Sequence, residues 1–338
     1  MPRPNALIPF AVMSLVKTGL RPVAAMLRPL RRTRAAVRNL SVVHANMQAL
    51  ALSLARLEAG SAAAVRGEND WTSCLCTQAG CRGETFERWC AKLGEPSRFH
   101  RKLWEWVFIA ETLTRKGMLG GGHNRRACKG LGFGVGQEPL VAAFAAAGCD
   151  ILATDLDAGR AADAGWVRTG QHAAAGQLND RRLCPEEDFR RRVAFRTVDM
   201  NDIPADLGGF DFCWSSCCLE HLGDLHAGLR FIERSLDCLR PGGVAVHTTE
   251  FNLSSPDRTV ESGPTVIYRR RDIEQLVERL TGLGHHVAPI DWSTGNGVLD
   301  GFVDIPPYAA NPHLRLALGK YVSTSIGLIV TKSACEPR

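Results

Sequence analysis

The segment Gly130-Leu131-Gly132-Phe133-Gly134-Val135-Gly136, closing an apolar stretch and followed by Pro139, constrains this chain more than any other. Alternate glycines leave no side chains where the backbone turns sharply or where another group must come close. Pro139 suits the start of a helix, because its missing N–H would be unpaired there in any case. Strand, glycine turn and helix open an α/β unit, and the pattern repeats downstream. Candidate strands cover 127–132, 150–155, 193–199, 210–215, 243–249, 286–290 and 325–331. Between the fourth and fifth, Leu225, Leu229, Ile232, Leu236 and Leu239 recur at steps of 4, 3, 4 and 3, the spacing of a helix with one buried face. The expected fold class is α/β, a seven-stranded and mostly parallel sheet with helices on both faces.

At 338 residues, with 45% hydrophobic and 22% charged residues, the chain is long enough for one to three domains around a large core. We read residues 1–60 as a basic helical arm, 61–125 as a helical cap, and 126–338 as the α/β domain, with an insertion at 251–321 where ligand specificity is expected. The net charge of +6 is uneven, since residues 1–57 hold nine Lys or Arg and no acid, leaving −3 for the remainder. A basic face for nucleic acid is therefore not expected outside the arm. Within the arm, Val43, Met47, Leu50, Leu54 and Leu57 form a helical stripe. The Arg-rich stretch before it fits an interfacial helix at a membrane, an organelle-targeting peptide or a solvated arm. Peripheral membrane contact or self-association through residues 1–57 is the corresponding partner expectation. The best apolar run, Ala6 to Val16, is broken by Pro9 and is too short to span a bilayer. A second helical region is expected over Glu84 to Met118. Trp104 and Trp106 within it are core residues first and pocket walls second. The twelve cysteines include the adjacent pair Cys217 and Cys218 and read as reduced thiols of a cytoplasmic protein. Cys74, Cys76, Cys81 and Cys90 lack the paired spacing of a zinc site.

The glycines restrict the cofactor. A dinucleotide fingerprint G-x-G-x-x-G fails from Gly130, Gly132 and Gly134, which meet Val135, Gln137 and Pro139 at the last position. Asp155 closes the second strand 23 residues beyond Gly132, where a carboxylate can hold ribose hydroxyls.

Gly132 to Gly136, Asp155, Asp199-Met200, Phe210 to Leu222 and Leu239-Arg240-Pro241-Gly242-Gly243 together resemble the class I S-adenosylmethionine-dependent methyltransferases, over about residues 125–331. Within them the chain is most similar to the bacterial small-molecule branch. The resemblance implies a Rossmann-like fold and S-adenosyl-L-methionine as cofactor. It places Gly132, Gly134 and Gly136 at the methionyl portion, Asp155 at the ribose, Asp199 and the Met200 backbone at the adenine, and Trp214 and Ser215 on the methyl side. Gly130 stands where the family often has an acid, and Glu138 is the candidate to take over its contact.

A sulfonium methyl is already electrophilic, so transfer needs alignment and exclusion of water above all. An oxygen acceptor also gains from a base, and the C-terminal ends of the fourth and fifth strands supply His221, His247 and Glu250. His221 is the first choice. No metal is expected, because Cys217 stands where metal-dependent relatives carry a further Glu; a divalent cation on Glu220, His221 and His247 is the alternative. The expected function is methylation, on oxygen, of a small molecule, lipid precursor or glycan. The competing readings are a non-catalytic scaffold on the same fold and a nicotinamide-dependent oxidoreductase.

Overall fold

The computed structural model describes residues 36–37, 39–58, 71–120, 127–157, 159 and 175–334. The Arg-rich stretch upstream of the arm helix and the apolar run Ala6 to Val16 lie outside the described residues. The chain divides into two compact units, Met1–Leu54 and Ala55–Arg338. Residues 39–58 are helical (α1), as the spacing predicts, and the stripe of Val43, Met47, Leu50, Leu54 and Leu57 is exposed.

In the second unit the cap and the sheet belong together. Strand β1 (Ser73–Leu75) and helices α2 (Glu84–Lys92) and α3 (Arg101–Arg115) precede the first glycine-bearing strand, β2 (Lys129–Phe133). The single helical region expected over Glu84 to Met118 is thus two helices. Gly94 turns the chain with a left-handed φ of 67°, and Pro96 cannot continue the ladder. Then come α4 (Leu140–Ala146), β3 (Asp150–Asp155), α5 (Glu186–Arg192), β4 (Val193–Thr197), β5 (Phe210–Ser216), β6 (Gly223–Asp224), α6 (Leu225–Asp237) and β7 (Leu239–Asn252). The chain continues through β8 (Ser262–Gly263), α7 (Arg270–Gly282), β9 (His286–Val287), β10 (Ile290–Asp291), β11 (Leu316–Leu318) and β12 (Tyr321–Thr331).

The sheet has ten strands among the described residues, ordered β10-β1-β12-β7-β5-β2-β3-β4, with β9 and β11 also paired to β12. Strands β7, β5, β2, β3 and β4 are parallel, and β12 enters antiparallel beside β7. This is the expected Rossmann-like α/β sheet with a different strand count at its edge. The sixth expected strand, 286–290, is split into β9 and β10 because Pro289 between them has no N–H for the ladder. Beside β9, which pairs Val330 and Thr331, the cap strand β1 pairs Ile326 and Gly327 and in turn carries β10 at the edge.

Period-two alternation sends side chains to both faces. On one face Leu131, Phe133, Cys213, Ala245, Ile326 and Leu328 pack with Leu229, Ile232 and Leu236 of α6 and Ile273, Leu276 and Leu280 of α7. Helix α6 starts at Asp224, whose carboxylate accepts the Ala227 N–H at 2.7 Å, an N-cap that fixes where the buried stripe begins. On the other face Phe212 and Trp214 meet Phe144 of α4 edge-on, with centroids 5.9 and 5.1 Å apart. Helix α3 covers β5, β7 and β12, and every residue from Leu103 to Leu113 is buried.

Gly132 lies against the Trp214 indole, and a Cβ there would stand 2.5 Å from Cζ2 of the ring and 2.6 Å from a Val135 methyl. Neither neighbour is the free end of a flexible chain. Gly132→Ala is expected to destabilise the protein by about 1–3 kcal/mol through overpacking, read as a lower urea midpoint at unchanged slope.

Candidate functional site

The chain runs from β2 outward to β3 and β4, then returns across β2 to β5. The direction of winding therefore reverses between β2 and β5. In open α/β sheets the carboxyl ends of the strands at such a reversal leave a crevice. Here it is a cavity of about 570 Å³, walled by the turn after β2, the ends of β3 and β5, the segment after β4, residues 221–223, Arg181, and Lys102 and Trp106 of α3.

The glycine turn forms its floor. Gly134 and Gly136 hold left-handed φ values of 56° and 49°, where a β-carbon is strained. A Cβ on Gly134 would also lie 3.0 Å from Cys218 Sγ and 3.2 Å from Met200 Sδ. Asp155, at the end of β3, ties the turn down: its Oδ2 accepts the Gly136 N–H at 3.0 Å and its Oδ1 the Leu156 N–H at 2.8 Å. Each carboxylate oxygen can accept more than one such bond. Asp199 and Met200 line the next wall, and the Asp199 carboxylate accepts the Asn201 N–H at 2.9 Å.

Glu138 lines the cavity behind the turn and accepts the Trp214 indole N–H at 2.6 Å. Burial pushes its carboxyl up to about 8, against the opposing effects of Trp214 and Lys102. Glu138 is thus an acid that holds its proton at neutral pH unless a cation approaches.

The end of β5 supplies Ser216, Cys217 and Cys218. Cys217 has a φ of 47°, a region that costs a side-chain-bearing residue about 1–2 kcal/mol. It is held there by its N–H on Thr248 O at 3.0 Å and its thiol on Glu105 Oε1 at 3.0 Å. Glu105, fully buried, anchors a charged cluster between α3 and the sheet. Lys102 Nζ lies 2.9 Å and Arg101 Nη1 3.4 Å from it, Ser325 and Ser216 donate to it, and Arg101 pairs in turn with Glu250. Burial would raise Glu105, but Lys102 and Arg101 override it and hold the carboxyl down at about 2. Glu250, whose hydroxyl donor is Ser323, is raised by burial despite Arg101.

His221 lines the cavity, half-buried, with Nδ1 2.7 Å from Pro264 O. A carbonyl only accepts, so Nδ1 carries the proton and Nε2 holds the lone pair.

The structure brings together Gly134, Gly136, Glu138, Asp155, Asp199, Met200 and His221 on one cavity. Five expected positions lie elsewhere. Gly132 is inside β2 under the Trp214 ring, a packing position. Trp214 is fully buried, because the even positions of β5 point at α4, and it acts only from behind Glu138. Ser215 and His247 face α6 instead: Ser215 Oγ meets His247 Nδ1 at 2.7 Å and Ser235 Oγ meets Nε2 at 3.1 Å. Burial drives His247 down to about 3, so it stays neutral with both nitrogens occupied, inside the sheet and off the cavity wall. Glu250 is bound to Arg101 and Ser323, also off the wall. The alternative metal ligands do not assemble either. Among the described residues it is Cys217, Glu220 and Glu250 whose ligand atoms come within 4.8 Å of one another, and Arg101 already supplies positive charge there.

Lys102 and Arg181 escaped the sequence reading, whereas Trp106, read as core first and pocket wall second, does line the cavity. One signal was present: Arg101, Lys102 and Glu105 fall at steps of one and three in an otherwise apolar helix, the spacing of an i, i+3 and i, i+4 ion-pair set.

Residues 131–247 match a family model described as "Methyltransferase domain". Solved structures with a similar fold include an O-methyltransferase family protein from Burkholderia thailandensis, 15% identical, with a TM-score of 0.35, covering 70% of this chain and 60% of that one. The 1,6-didemethyltoxoflavin-N1-methyltransferase of the same organism is 17% identical, with a TM-score of 0.39 and coverage of 68% and 80%. The glycopeptide N-methyltransferase MtfA complexed with sinefungin is 14% identical, with a TM-score of 0.40 and coverage of 68% and 86%. No curated protein matches the chain.

Removing the anchor of the charged cluster leaves Lys102 without its carboxylate partner and Arg101 with Glu250 alone. Glu105→Ala is expected to lose about 3–5 kcal/mol of stability at pH 7, measured by chemical denaturation. Because the folded-state carboxyl lies below its unfolded value near 4.3, its contribution is present above about pH 4.3 and fades as pH falls through about 2. The gap between variant and wild type should shrink over that range.

Proposed function

We propose, from the premise that residues 131–247 are a domain of the methyltransferase family, that this chain is an S-adenosylmethionine-dependent methyltransferase acting on an oxygen of a small molecule, lipid precursor or glycan. The observation that carries the reading is the convergence of a left-handed glycine turn, three carboxyl groups and a histidine of fixed tautomer on one cavity. The residues suit the cofactor. The Gly134–Gly136 turn offers backbone where a side chain would fill the space, Asp155 offers acceptors for ribose hydroxyls, and Asp199 with the Met200 backbone offers the edge that an adenine reads. Glu138 supplies a carboxyl that ionises against a cation. A volume of about 570 Å³ lies within the range of about 300–1,000 Å³ found for whole-ligand pockets.

S-adenosylmethionine, when bound, supplies the electrophilic methyl. The protein has then to align an acceptor, remove water and accept one proton. His221 is suited to accept that proton, because with Nδ1–H committed to Pro264 the basic nitrogen is Nε2, and an alcohol or phenol benefits most from such a base. The non-catalytic and nicotinamide-dependent readings have no observation in their favour.

Calorimetry should show binding of S-adenosylmethionine or S-adenosylhomocysteine and none of NAD or NADP. Asp155→Ala should weaken binding by about 1.5–3 kcal/mol. His221→Ala should leave affinity unchanged but slow S-adenosylhomocysteine formation with a panel of alcohol and phenol acceptors by about 100-fold to 10,000-fold. Unaltered affinity in the aspartate variant would end the cofactor assignment, and unaltered turnover in the histidine variant would end the general-base role.

We propose separately that α1 is an association surface for a second copy or an anionic membrane. Its support is the exposed row Val43, Met47, Leu50, Leu54 and Leu57 beside an acid-free basic sequence. No helix among the described residues is long and apolar enough to cross a membrane. Deleting residues 1–57 should abolish self-association in sedimentation velocity or retention on anionic vesicles, with cofactor affinity unchanged. Loss of cofactor binding by a folded truncation would make the arm part of the pocket instead.

A further inference from the structure

The cavity has a wall that lies outside the matched domain and to which the function proposed above assigns no role. Lys102 and Trp106 stand four residues apart on α3, so both project from one face of the helix onto the cavity. Trp106 is nine-tenths buried, and among the described residues no acceptor reaches its indole N–H. A buried donor left unmade costs about 1–3 kcal/mol, and the few that exist call for an explanation. This one is also held in place. Arg181 lies over the ring with its guanidinium carbon 5.3 Å from the centroid, and Arg181 itself is fixed by Glu95 at 2.6 Å and Leu93 O at 3.1 Å. A cation over an indole draws electron density from the ring and strengthens its N–H as a donor.

Lys102 contributes charge to the same wall. Its ammonium lies 2.9 Å from Glu105 Oε2 and donates to Ser216 O at 3.2 Å. Two of its three N–H bonds are thereby accounted for, and the side chain remains one-third exposed, toward the cavity it lines. The cavity is polarised as a result. The carboxyls of Glu138, Asp155 and Asp199 stand on the strand side and the cations of Lys102 and Arg181 on the helix side. A ligand that fills it presents hydroxyl or cationic groups to one wall and an anionic oxygen to the other.

We propose that Trp106 Nε1 and Lys102 Nζ form a seat for a carboxylate of the bound ligand. The inference rests on the methyltransferase reading, in which two molecules can bring that group: the donor, through its amino-acid carboxylate, or the acceptor, through an acidic group of its own. The seat makes the recognition of whichever molecule occupies it dependent on α3, a helix of the cap.

Titration calorimetry on the full chain separates these sources. Wild type, Trp106→Phe and Lys102→Met are compared with three probes: S-adenosylhomocysteine, 5′-methylthioadenosine, which lacks the amino-acid portion, and 4-hydroxybenzoate added to protein saturated with S-adenosylhomocysteine, against its neutral amide. Trp106→Phe keeps an aromatic ring and removes the N–H, so it stays informative if Lys102→Met unsettles the fold. A loss of about tenfold or more for S-adenosylhomocysteine in both variants, with methylthioadenosine unchanged, supports the seat with the donor as its occupant. Unchanged S-adenosylhomocysteine with a similar loss for 4-hydroxybenzoate, and none for the amide, supports it with the acceptor as occupant. Variants that bind all three probes as wild type does overturn the proposal. Wild type that binds neither adenosine compound refutes the methyltransferase reading itself, a result recognisable before any variant is measured.

Discussion

The structure depends on one buried carboxylate. Glu105 sits at zero exposure between a helix, the carboxyl end of β5 and the amino-terminal half of β12, with Lys102 and Arg101 beside it and two serine hydroxyls and the Cys217 thiol on its oxygens. A charge taken out of water costs several kcal/mol unless its partners are complete. This one is complete only when α3, β5 and β12 are all in place. The cluster therefore specifies where the cap helix lies on the sheet more than it stabilises it. Its consequences reach the cavity directly: Cys217 is held in its left-handed conformation, and Lys102 is brought to the wall.

That dependence accounts for the composition of α3. A helix covered on all sides is expected to be apolar all round, and Leu103 to Leu113 are indeed all buried. Two acids break the pattern, and each has its own cations: Glu105 with Arg101 and Lys102, Glu111 with Arg88 and Arg115. The Trp89 indole also donates to Glu111 at 2.8 Å, so α2 is fastened to α3 by the same kind of contact that fastens α3 to the sheet. Helices α2 and α3 belong to the same compact unit as the sheet, and buried charges fasten them there.

The fold was legible where one local signal sufficed. The glycine turn, the apolar strands and the four-three stripe of α6 each announce their element, and together they mark a mostly parallel sheet. The edge was not legible. Strand β1 has only three residues, and its pairing with Gly327 and Ile326 spans most of the chain, beyond any periodicity. In the site, Gly134, Gly136, Asp155 and Asp199 do reach the cavity, since they sit at strand ends, where position alone decides exposure to the crevice. Trp214, Ser215, His247 and Glu250 lie inside strands, where a side chain's face depends on register. Neighbouring positions there point to opposite sides of the sheet.

The two histidines show what this distinction means for chemistry. Both follow central strands in the sequence, and a reading by position treats them alike. His247 falls on a β7 position that faces α6, between two hydroxyls that occupy both nitrogens, and burial pushes it down to about 3, which leaves it uncharged at neutral pH. A histidine so placed closes hydrogen bonds left by Ser215 and Ser235 and has no lone pair to spare. His221 lies just past the strand, in the turn between β5 and β6, with its Nδ1 proton committed to a carbonyl and its ring on the cavity wall. The same side chain is structural within the ladder and capable of taking a proton a few residues beyond a strand's end. The turns and strand ends carry the expected site residues that reach the cavity, and the sheet supplies the rigidity on which they are held.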